Sequence, residues 1–252
     1  MTGNIDFHYP WWLSYGHLVI AIPALLLWLL GRSRKWSKLP MFFVAAIAIW
    51  AFGSFLIARF AFNANAVPAL PTQSFLQAGT GRVLDMGAGT GRSSLMVLRS
   101  RPGASVVALD LFTESYRQHF GTELSGEERL AANFRAAGFE SRTSIQAGDM
   151  RQLPFETASF DAIVSSYAID HLKRNGVDAS LREAARVLKP RGDFLLILVA
   201  NDFWSSFAFG PLLLHGGLHK ADWWSFCLQD AGFQIIEQGT KPITLYFLAR
   251  KP

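Results

Sequence analysis

The chain has 252 residues, of which 50% are hydrophobic and 17% are charged, whereas about 25% of residues are charged in a typical globular protein. This composition excludes a disordered polypeptide. The single cysteine, Cys227, excludes an internal disulfide and a cysteine-rich zinc module. The length suits one large domain or two small ones.

The net charge of +5 is concentrated near the N-terminus, and the chain beyond residue 70 is nearly neutral. A nucleic-acid-binding domain would instead carry a basic patch across its folded surface. We therefore exclude nucleic acid as a partner. The charged residues among the first 70 are Asp6, Arg32, Arg34, Lys35, Lys38 and Arg59.

Two long apolar runs flank the basic loop 31–38. Residues 12–30 contain no charged side chain, and residues 41–62 contain only Arg59, near the end of the run. Each run is about as long as the ~20 residues that cross a hydrocarbon core. A cleaved signal peptide fits poorly, because no basic residue precedes the first run and a second run follows it. We predict a membrane anchor over residues 1–66, with membrane contact through residues 12–62; two buried core helices are the alternative.

The basic loop raises a question of topology. Loops rich in Lys and Arg stay on the cytoplasmic side, so two full crossings would place the rest of the chain outside. A shallow hairpin in one leaflet, bent at Pro23 and Gly53, avoids this conflict, and we prefer it. We expect the remainder of the chain on the cytoplasmic face.

Residues 67–80 are predicted to form a linker, and residues 81–252 a second domain. There, short apolar runs alternate with helical stretches, which favours an α/β fold with a parallel sheet covered by helices on both faces. Residues 233–250 instead predict a terminal β-hairpin. The five earlier strands are expected near residues 82–87, 106–112, 143–150, 160–169 and 192–200.

A glycine-rich turn, DMGAGTG (85–91), joins the first of these strands to a helix. Glycines at this position let the backbone approach a ligand at the carboxyl edge of the sheet. The spacing is GxGxG rather than the GxGxxG of dinucleotide-binding folds. The preceding Asp85 would repel a pyrophosphate but would favour a ligand that carries an ammonium group.

Two further carboxylates follow the next two strands. Asp110 lies where a carboxylate can accept both hydroxyls of a ribose. Asp149 could accept a hydrogen bond from an exocyclic amine, with apolar side chains nearby to cover an adenine. Each acid alone could be a simple turn former, but three at successive strand ends indicate a nucleoside site.

The segments DMGAGTGR, VVALDLF, AGDMRQLPFETASFDAIVSSYAIDHL and REAARVLKPRGDFLLIL resemble, in this order, a class I S-adenosylmethionine-dependent methyltransferase. Within that superfamily they resemble the branch of ubiquinone/menaquinone-biosynthesis and small-molecule methyltransferases. The resemblance covers about residues 80–250. It implies a Rossmann-like seven-stranded sheet whose last strand is antiparallel, and S-adenosylmethionine as the cofactor. The two predicted hydrophobic membrane helices precede this fold and lie outside the resemblance. The implied cofactor-binding residues are Asp85, Gly87, Ala88, Gly89, Gly91, Asp110, Leu111, Asp149, Met150 and Ser166.

The same resemblance places acceptor contacts after the fourth strand, where Tyr167, Asp170 and His171 are the catalytic candidates. His171 could act as a base beside Asp170 if the acceptor must lose a proton. The alternative, that both residues cap the next helix or face solvent, stays open.

An apolar segment, residues 201–224, is predicted to form an acceptor lid or to dip into the bilayer; filling of the core is the alternative. Its candidate substrate residues are Phe203, Trp204, Phe207, His215 and His219. The two histidines are four residues apart, but Gly216 and Gly217 disfavour a helix between them, so we predict no metal site.

The sequence therefore predicts a membrane-associated methyltransferase that acts on a lipophilic small molecule or lipid. Candidate acceptors are a quinone-type ring, a lipid amine or a hydrophobic thiol. A catalytically silent membrane adaptor with the same fold and a nicotinamide-dependent oxidoreductase are the alternatives. The acceptor atom and the oligomeric state do not follow from the sequence.

Overall fold

The computed structural model describes residues 4–113, 125–210 and 219–252. They form a seven-stranded sheet with helices on both faces, and a pair of long helices precedes it. The helices are α1 (Trp11–Tyr15), α2 (Leu18–Ser33), α3 (Lys38–Leu56), α4 (Arg92–Ser100), α5 (Gly126–Ala137), α6 (Arg174–Val187), α7 (Phe203–Phe209) and α8 (Ala221–Asp230). The strands are β1 (Thr80–Met86), β2 (Gly103–Asp110), β3 (Thr143–Ala147), β4 (Phe160–Ser166), β5 (Leu188–Val199), β6 (Gln234–Lys241) and β7 (Thr244–Arg250).

The sheet has the strand order β3-β2-β1-β4-β5-β7-β6. The first five strands are parallel, and β7 runs antiparallel to both of its neighbours. The predicted terminal hairpin and antiparallel last strand are therefore confirmed. Because β1 lies between β2 and β4, the carboxyl ends of β3, β2, β1 and β4 lie side by side, which gathers the predicted site residues at one edge.

Apolar side chains on both faces of the sheet explain why its central strands read as nearly continuous apolar runs. Leu84 and Met86 of β1 pack with Leu181 of α6 and Trp224 of α8. On the opposite face, Val83 packs with residues of α4, α5 and the segment before β1.

The two N-terminal helices form a hairpin, since residues 34–37 turn α3 back against α2. Trp11–Ser33 and Lys38–Phe62 are each long and apolar enough to cross a membrane. Most of their side chains are exposed, for example Val19 (62%) and Ile49 (72%). Because they are not buried, the alternative of two core helices is wrong. Pro23 and Gly53 lie inside the continuous helices α2 and α3.

Candidate active site

The glycine-rich turn after β1 is held against the end of β2. The N–H groups of Gly87 and Ala88 both donate to the carbonyl oxygen of Leu109, at 2.8 and 3.0 Å. Gly87 has φ +79°, and a Cβ there would lie 2.4 Å from the Cβ of Ala168. At Gly91 (φ +91°), a Cβ would lie 2.6 Å from Cδ1 of Leu130. The turn is thus a cradle without room for side chains at these two positions.

Asp85, at the end of β1, is fully buried beneath this cradle. Its Oδ2 accepts hydrogen bonds from the hydroxyls of Ser93 (2.7 Å) and Ser94 (2.5 Å) at the start of α4. Its Oδ1 is buried and has no partner among the described residues. Burial raises the pKa of Asp85 to about 6, against the lowering effect of the two hydroxyls. An orphaned carboxylate oxygen fits a site whose ligand carries a positive group.

The raised pKa of Asp85 predicts a pH-dependent stability. The folded state retains the proton up to about pH 6, whereas the unfolded carboxyl releases it near 3.8. Stability is therefore lost as the pH rises through this window, by on the order of 3 kcal/mol. We expect Asp85→Asn to raise the melting temperature above pH 7 by on the order of 5 °C and to change it little at pH 4.

Melting curves of the detergent-solubilised protein between pH 4 and 8 measure this effect. Titration of the same variant with S-adenosylhomocysteine should show weaker binding, because the negative charge is lost. A constant difference in melting temperature across the pH range would contradict the assignment of the titration to Asp85.

The second carboxylate, Asp110, faces the cradle from the end of β2. Its Oδ2 accepts the N–H of Gly89 at 2.9 Å, and its Oδ1 accepts the N–H of Phe112 at 3.3 Å. Each carboxylate oxygen can accept more than one hydrogen bond, so both oxygens retain acceptor capacity. Asp110 is thus positioned by the backbone of the loop beside it, as a ribose-binding carboxylate requires.

The third carboxylate, Asp149, follows β3 and is already engaged by an arginine. Arg151 reaches it from both Nε and Nη2, with a shortest distance of 2.6 Å, and this hydrogen bonding holds the pKa of Asp149 below its usual value. The half-buried Met150 contacts the Gly87 turn, and Leu111 is 50% exposed. The structure therefore gathers the predicted cofactor-binding residues at one edge, and Asp149 has a partner, Arg151, that was not predicted from the sequence.

The catalytic candidates after β4 differ in their surroundings. Tyr167 (φ +52°) shares a hydrogen bond of 2.7 Å with Thr244, and burial raises its pKa. Asp170 accepts the N–H of Val199 at 3.3 Å, and burial raises its pKa as well. His171 ends the short 3-10 turn Ile169–His171 and is exposed. Tyr167 is therefore an internal group that keeps its proton at neutral pH, whereas His171 faces outward.

A cavity of about 260 Å³ lies where the end of the anchor meets the sheet. Its walls include residues 60–63 and 66–69 from the anchor end and linker, and Ser166 and Tyr167 from the end of β4. Arg92, Thr244 and Lys241 complete the polar part of the lining. The sequence analysis missed these three residues, although the position of Arg92 directly after Gly91 was a signal.

Arg92 joins the end of the N-terminal hairpin to the glycine-rich turn. Its Nε donates to the carbonyl oxygen of Ala66 (3.0 Å), and its Nη2 donates to those of Phe62 (3.0 Å) and Asn63 (3.2 Å). The guanidinium carbon also lies 5.3 Å from the centre of the Phe62 ring. A cation at the carboxyl end of a helix satisfies carbonyl groups that have no partner within the helix.

The described start of the predicted acceptor segment, α7, contacts the N-terminal hairpin. The carbonyl oxygen of Phe207 accepts hydrogen bonds from Nε1 of Trp50 (2.9 Å) and the hydroxyl of Ser54 (3.2 Å). Phe203 is 67% exposed and Trp204 49% exposed. Neither these three residues of α7 nor His219 line the cavity.

Of the two histidines of the acceptor segment, only His219 lies among the described residues. His219 stacks on Trp223 with ring centres 3.6 Å apart, and burial together with Arg174 lowers its pKa. His215 lies outside the described residues.

Residues 4–9, which we call the N-terminal strap, cover the helices beside the cradle. Phe7 is fully buried in the core formed with α4 and α5. Its carbonyl oxygen accepts the hydroxyl of Thr90 at 3.2 Å. Asn133 of α5 exchanges two hydrogen bonds of 2.9 Å with the backbone of Asp6. The strap therefore fixes the start of the chain beside the cofactor edge.

Comparison with known proteins finds similarity to methyltransferases. Residues 83–192 match a family model described as a methyltransferase domain. A ubiquinone/menaquinone biosynthesis C-methyltransferase, UbiE, of Dinoroseobacter shibae is 34% identical over 116 residues, which are 46% of this chain and 41% of that protein. The chain thus spans less than half the length of this relative.

Two solved structures have a similar fold. An O-methyltransferase family protein from Burkholderia thailandensis superimposes with a TM-score of 0.58 at 17% identity, covering 82% of this chain and 60% of its own. A 1,6-didemethyltoxoflavin-N1-methyltransferase from the same organism, solved with S-adenosylhomocysteine bound, gives a TM-score of 0.50 at 20% identity, covering 68% and 71%. Residues 83–192 are thus similar to a methyltransferase domain, and the sheet has the fold of solved methyltransferases.

Proposed function

We propose that the protein is a membrane-anchored methyltransferase that transfers the methyl group of S-adenosylmethionine to a lipophilic acceptor from the bilayer. The observation that carries this proposal is the junction at Arg92. This residue begins α4 directly after the cofactor cradle and binds the carbonyl groups at the end of an exposed apolar hairpin. An acceptor that enters from the membrane would therefore meet the domain beside its cofactor edge.

The residues at the sheet edge suit S-adenosylmethionine as the cofactor. Asp85 and the glycine turn would hold the methionine part, Asp110 the ribose, and Leu111, Asp149 and Met150 the adenine. When bound, the cofactor supplies an activated methyl group, so the protein mainly has to orient the acceptor and exclude water.

A quinone-type ring is the acceptor that we favour. The name of the similar UbiE protein describes C-methylation in ubiquinone and menaquinone biosynthesis, and such rings carry lipophilic tails that belong in a bilayer. A lipid amine and a hydrophobic thiol are the competing acceptors. We propose that the catalytic domain lies on the cytoplasmic face, the side on which the basic loop 31–38 is expected.

Transfer of a labelled methyl group to extracted membrane lipids tests the proposal. The full chain in detergent, given labelled S-adenosylmethionine, should label a lipid-soluble product within one turnover. Cofactor binding without transfer to any fraction of the extract would favour the silent membrane adaptor. Failure to bind either S-adenosylmethionine or S-adenosylhomocysteine would overturn the enzymatic function.

The surroundings of Tyr167 and His171 predict unequal roles in turnover. Tyr167 lines the cavity and its hydroxyl shares a hydrogen bond with Thr244, whereas His171 is exposed. We expect Tyr167→Phe to lower kcat/KM for the acceptor about 10-fold, as loss of one buried hydrogen bond implies, and His171→Ala to lower it less than about 3-fold.

Steady-state kinetics across pH 5–9 distinguish the two residues. A base at His171 would instead give a large fall in kcat for His171→Ala and a changed shape of the pH–rate profile. That outcome would make His171 the proton acceptor and reduce Tyr167 to a wall of the cavity.

A further inference from the structure

We infer that the cavity at the anchor junction binds the head group of the acceptor, and that this head is a planar, oxygen-bearing ring that is neutral or anionic. The inference rests on the proposed function and adds a role for the anchor. The end of the anchor is a wall of the binding site as well as a tether.

The position of the cavity connects membrane and cofactor. Residues 60–62 are the last turn of the helix Ile57–Phe62 that ends the hairpin, and residues 66–69 lie where the predicted anchor passes into the predicted linker. On the other side, Arg92 follows Gly91 of the cradle, and Ser166 ends β4. A ligand in this cavity therefore lies between the bilayer-facing hairpin and the strand ends that gather the cofactor residues.

The size of the cavity limits what it can hold. Its volume is about 260 Å³, slightly below the roughly 300–1,000 Å³ of pockets that enclose drug-sized ligands. One or two fused rings fit this space, but a ring together with a long hydrocarbon tail does not. The tail of a lipophilic acceptor therefore has to leave the cavity, and the apolar anchor end provides a compatible surface.

The charge of the lining decides between the competing acceptors. Arg92 and Lys241 line the cavity, and none of the described lining residues is acidic. The hydrogen bonds of Arg92 go from Nε and Nη2 to uncharged carbonyl groups, which leaves its positive charge uncompensated and Nη1 without a described partner. An amine head group would meet two like charges here, whereas phenolic or carbonyl oxygens would meet donors.

The hydroxyl groups add to this preference for oxygen. Ser166 lies at the cavity, and Tyr167 and Thr244 share a hydrogen bond at its wall. Together with Arg92, these side chains bring several hydrogen-bond donors to the lining. A ring with oxygens at several positions can use these donors, which a thiol with a single polar atom cannot.

The test fills the cavity from the anchor side and measures binding of chosen probes. Ala61 lines the cavity and Ala46 is exposed earlier in α3, so Ala61→Trp and Ala46→Trp make the same chemical change at two sites of the anchor. The probe is a decyl-substituted hydroxybenzoquinone, titrated into the full chain loaded with S-adenosylhomocysteine in detergent. Decylamine serves as the amine of equal chain length.

We expect Ala61→Trp to weaken binding of the quinone probe at least ~10-fold because the added ring overfills the cavity, while Ala46→Trp binds it as the wild type does. S-adenosylhomocysteine affinity should stay within about 2-fold in both, which shows that the fold is intact. If Ala61→Trp does not fold, Ala69→Trp fills the same cavity from the linker. Equal probe binding in the cavity-filling and control variants would overturn the site.

A substitution at Lys241 tests the charge of the cavity lining. Lys241 is exposed. Lys241→Glu should weaken binding of the quinone probe at least ~5-fold and strengthen binding of decylamine, because it replaces a positive charge with a negative one. An unchanged preference between the probes would overturn the assignment of the head group. Failure of the inference and of the proposed function are distinguishable: probe binding without methyl transfer to any lipid refutes the function, and transfer that Ala61→Trp leaves intact refutes the site.

Discussion

Replacing Asp110 by alanine is expected to weaken the binding of S-adenosylmethionine at least ~100-fold. The carboxylate is held at the end of β2 by the N–H of Gly89, where it can accept both hydroxyls of a ribose. Hydrogen bonds to a charged group contribute about 1.5–3 kcal/mol each, so the loss of two explains this factor. Isothermal titration of the solubilised protein with S-adenosylmethionine and S-adenosylhomocysteine measures it.

Asp230→Ala is the matched control, because Asp230 is an exposed acid at the end of α8, on a helix that covers the sheet. It should bind both ligands like the wild type. If Asp110→Ala retains affinity within a factor of two, Asp110 does not contact the ribose, and the cofactor lies differently at this edge.

Two arginines in the middle of the hairpin are expected to release the protein from membranes. Leu26 of α2 is 60% exposed and Ile49 of α3 is 72% exposed. Arginine at the centre of a membrane helix costs about 2.5–3.5 kcal/mol where leucine or isoleucine is favourable. The double variant Leu26→Arg/Ile49→Arg should therefore lose on the order of 6 kcal/mol of insertion free energy. Most of the variant protein should leave the membrane pellet after an alkaline wash.

Ile236→Arg/Gln238→Arg provides the control, since it adds the same charge on the exposed edge strand β6. This variant should stay in the pellet with the wild type. Both double variants should bind S-adenosylhomocysteine normally. Retention of the hairpin variant in the pellet would show that the exposed apolar surface is covered by protein instead of lipid.

The sheet and its cofactor edge were predictable because their signals are local. A strand that is buried on both faces is apolar along its length, and a turn such as Gly87–Gly91 needs glycines at its left-handed positions. Asp85 and Asp110 mark the ends of neighbouring strands, so their convergence follows once the sheet is parallel. The exposure of the hairpin likewise follows from runs that lack a polar face.

The cavity was not predictable because its residues meet only through tertiary packing. Tyr167 and Thr244 are 77 positions apart, and Arg92 reaches carbonyl groups 26 to 30 residues earlier. No periodic pattern relates such positions. The pairing of Asp149 with Arg151 was not predictable for a different reason. Two side chains that are two residues apart can pair or point apart, and the sequence does not distinguish these arrangements.

The N-terminal strap has a consequence for how the protein is made. Asp6 binds Asn133, which leaves the ribosome 127 residues later, and the apolar hairpin emerges between them. If the hairpin enters a bilayer as proposed, the strap has to wait on the side where the domain will fold. A chain whose N-terminal strap had crossed the bilayer would lack Phe7 in its core. Completion of the fold would then select the molecules whose hairpin returns both of its ends to one face.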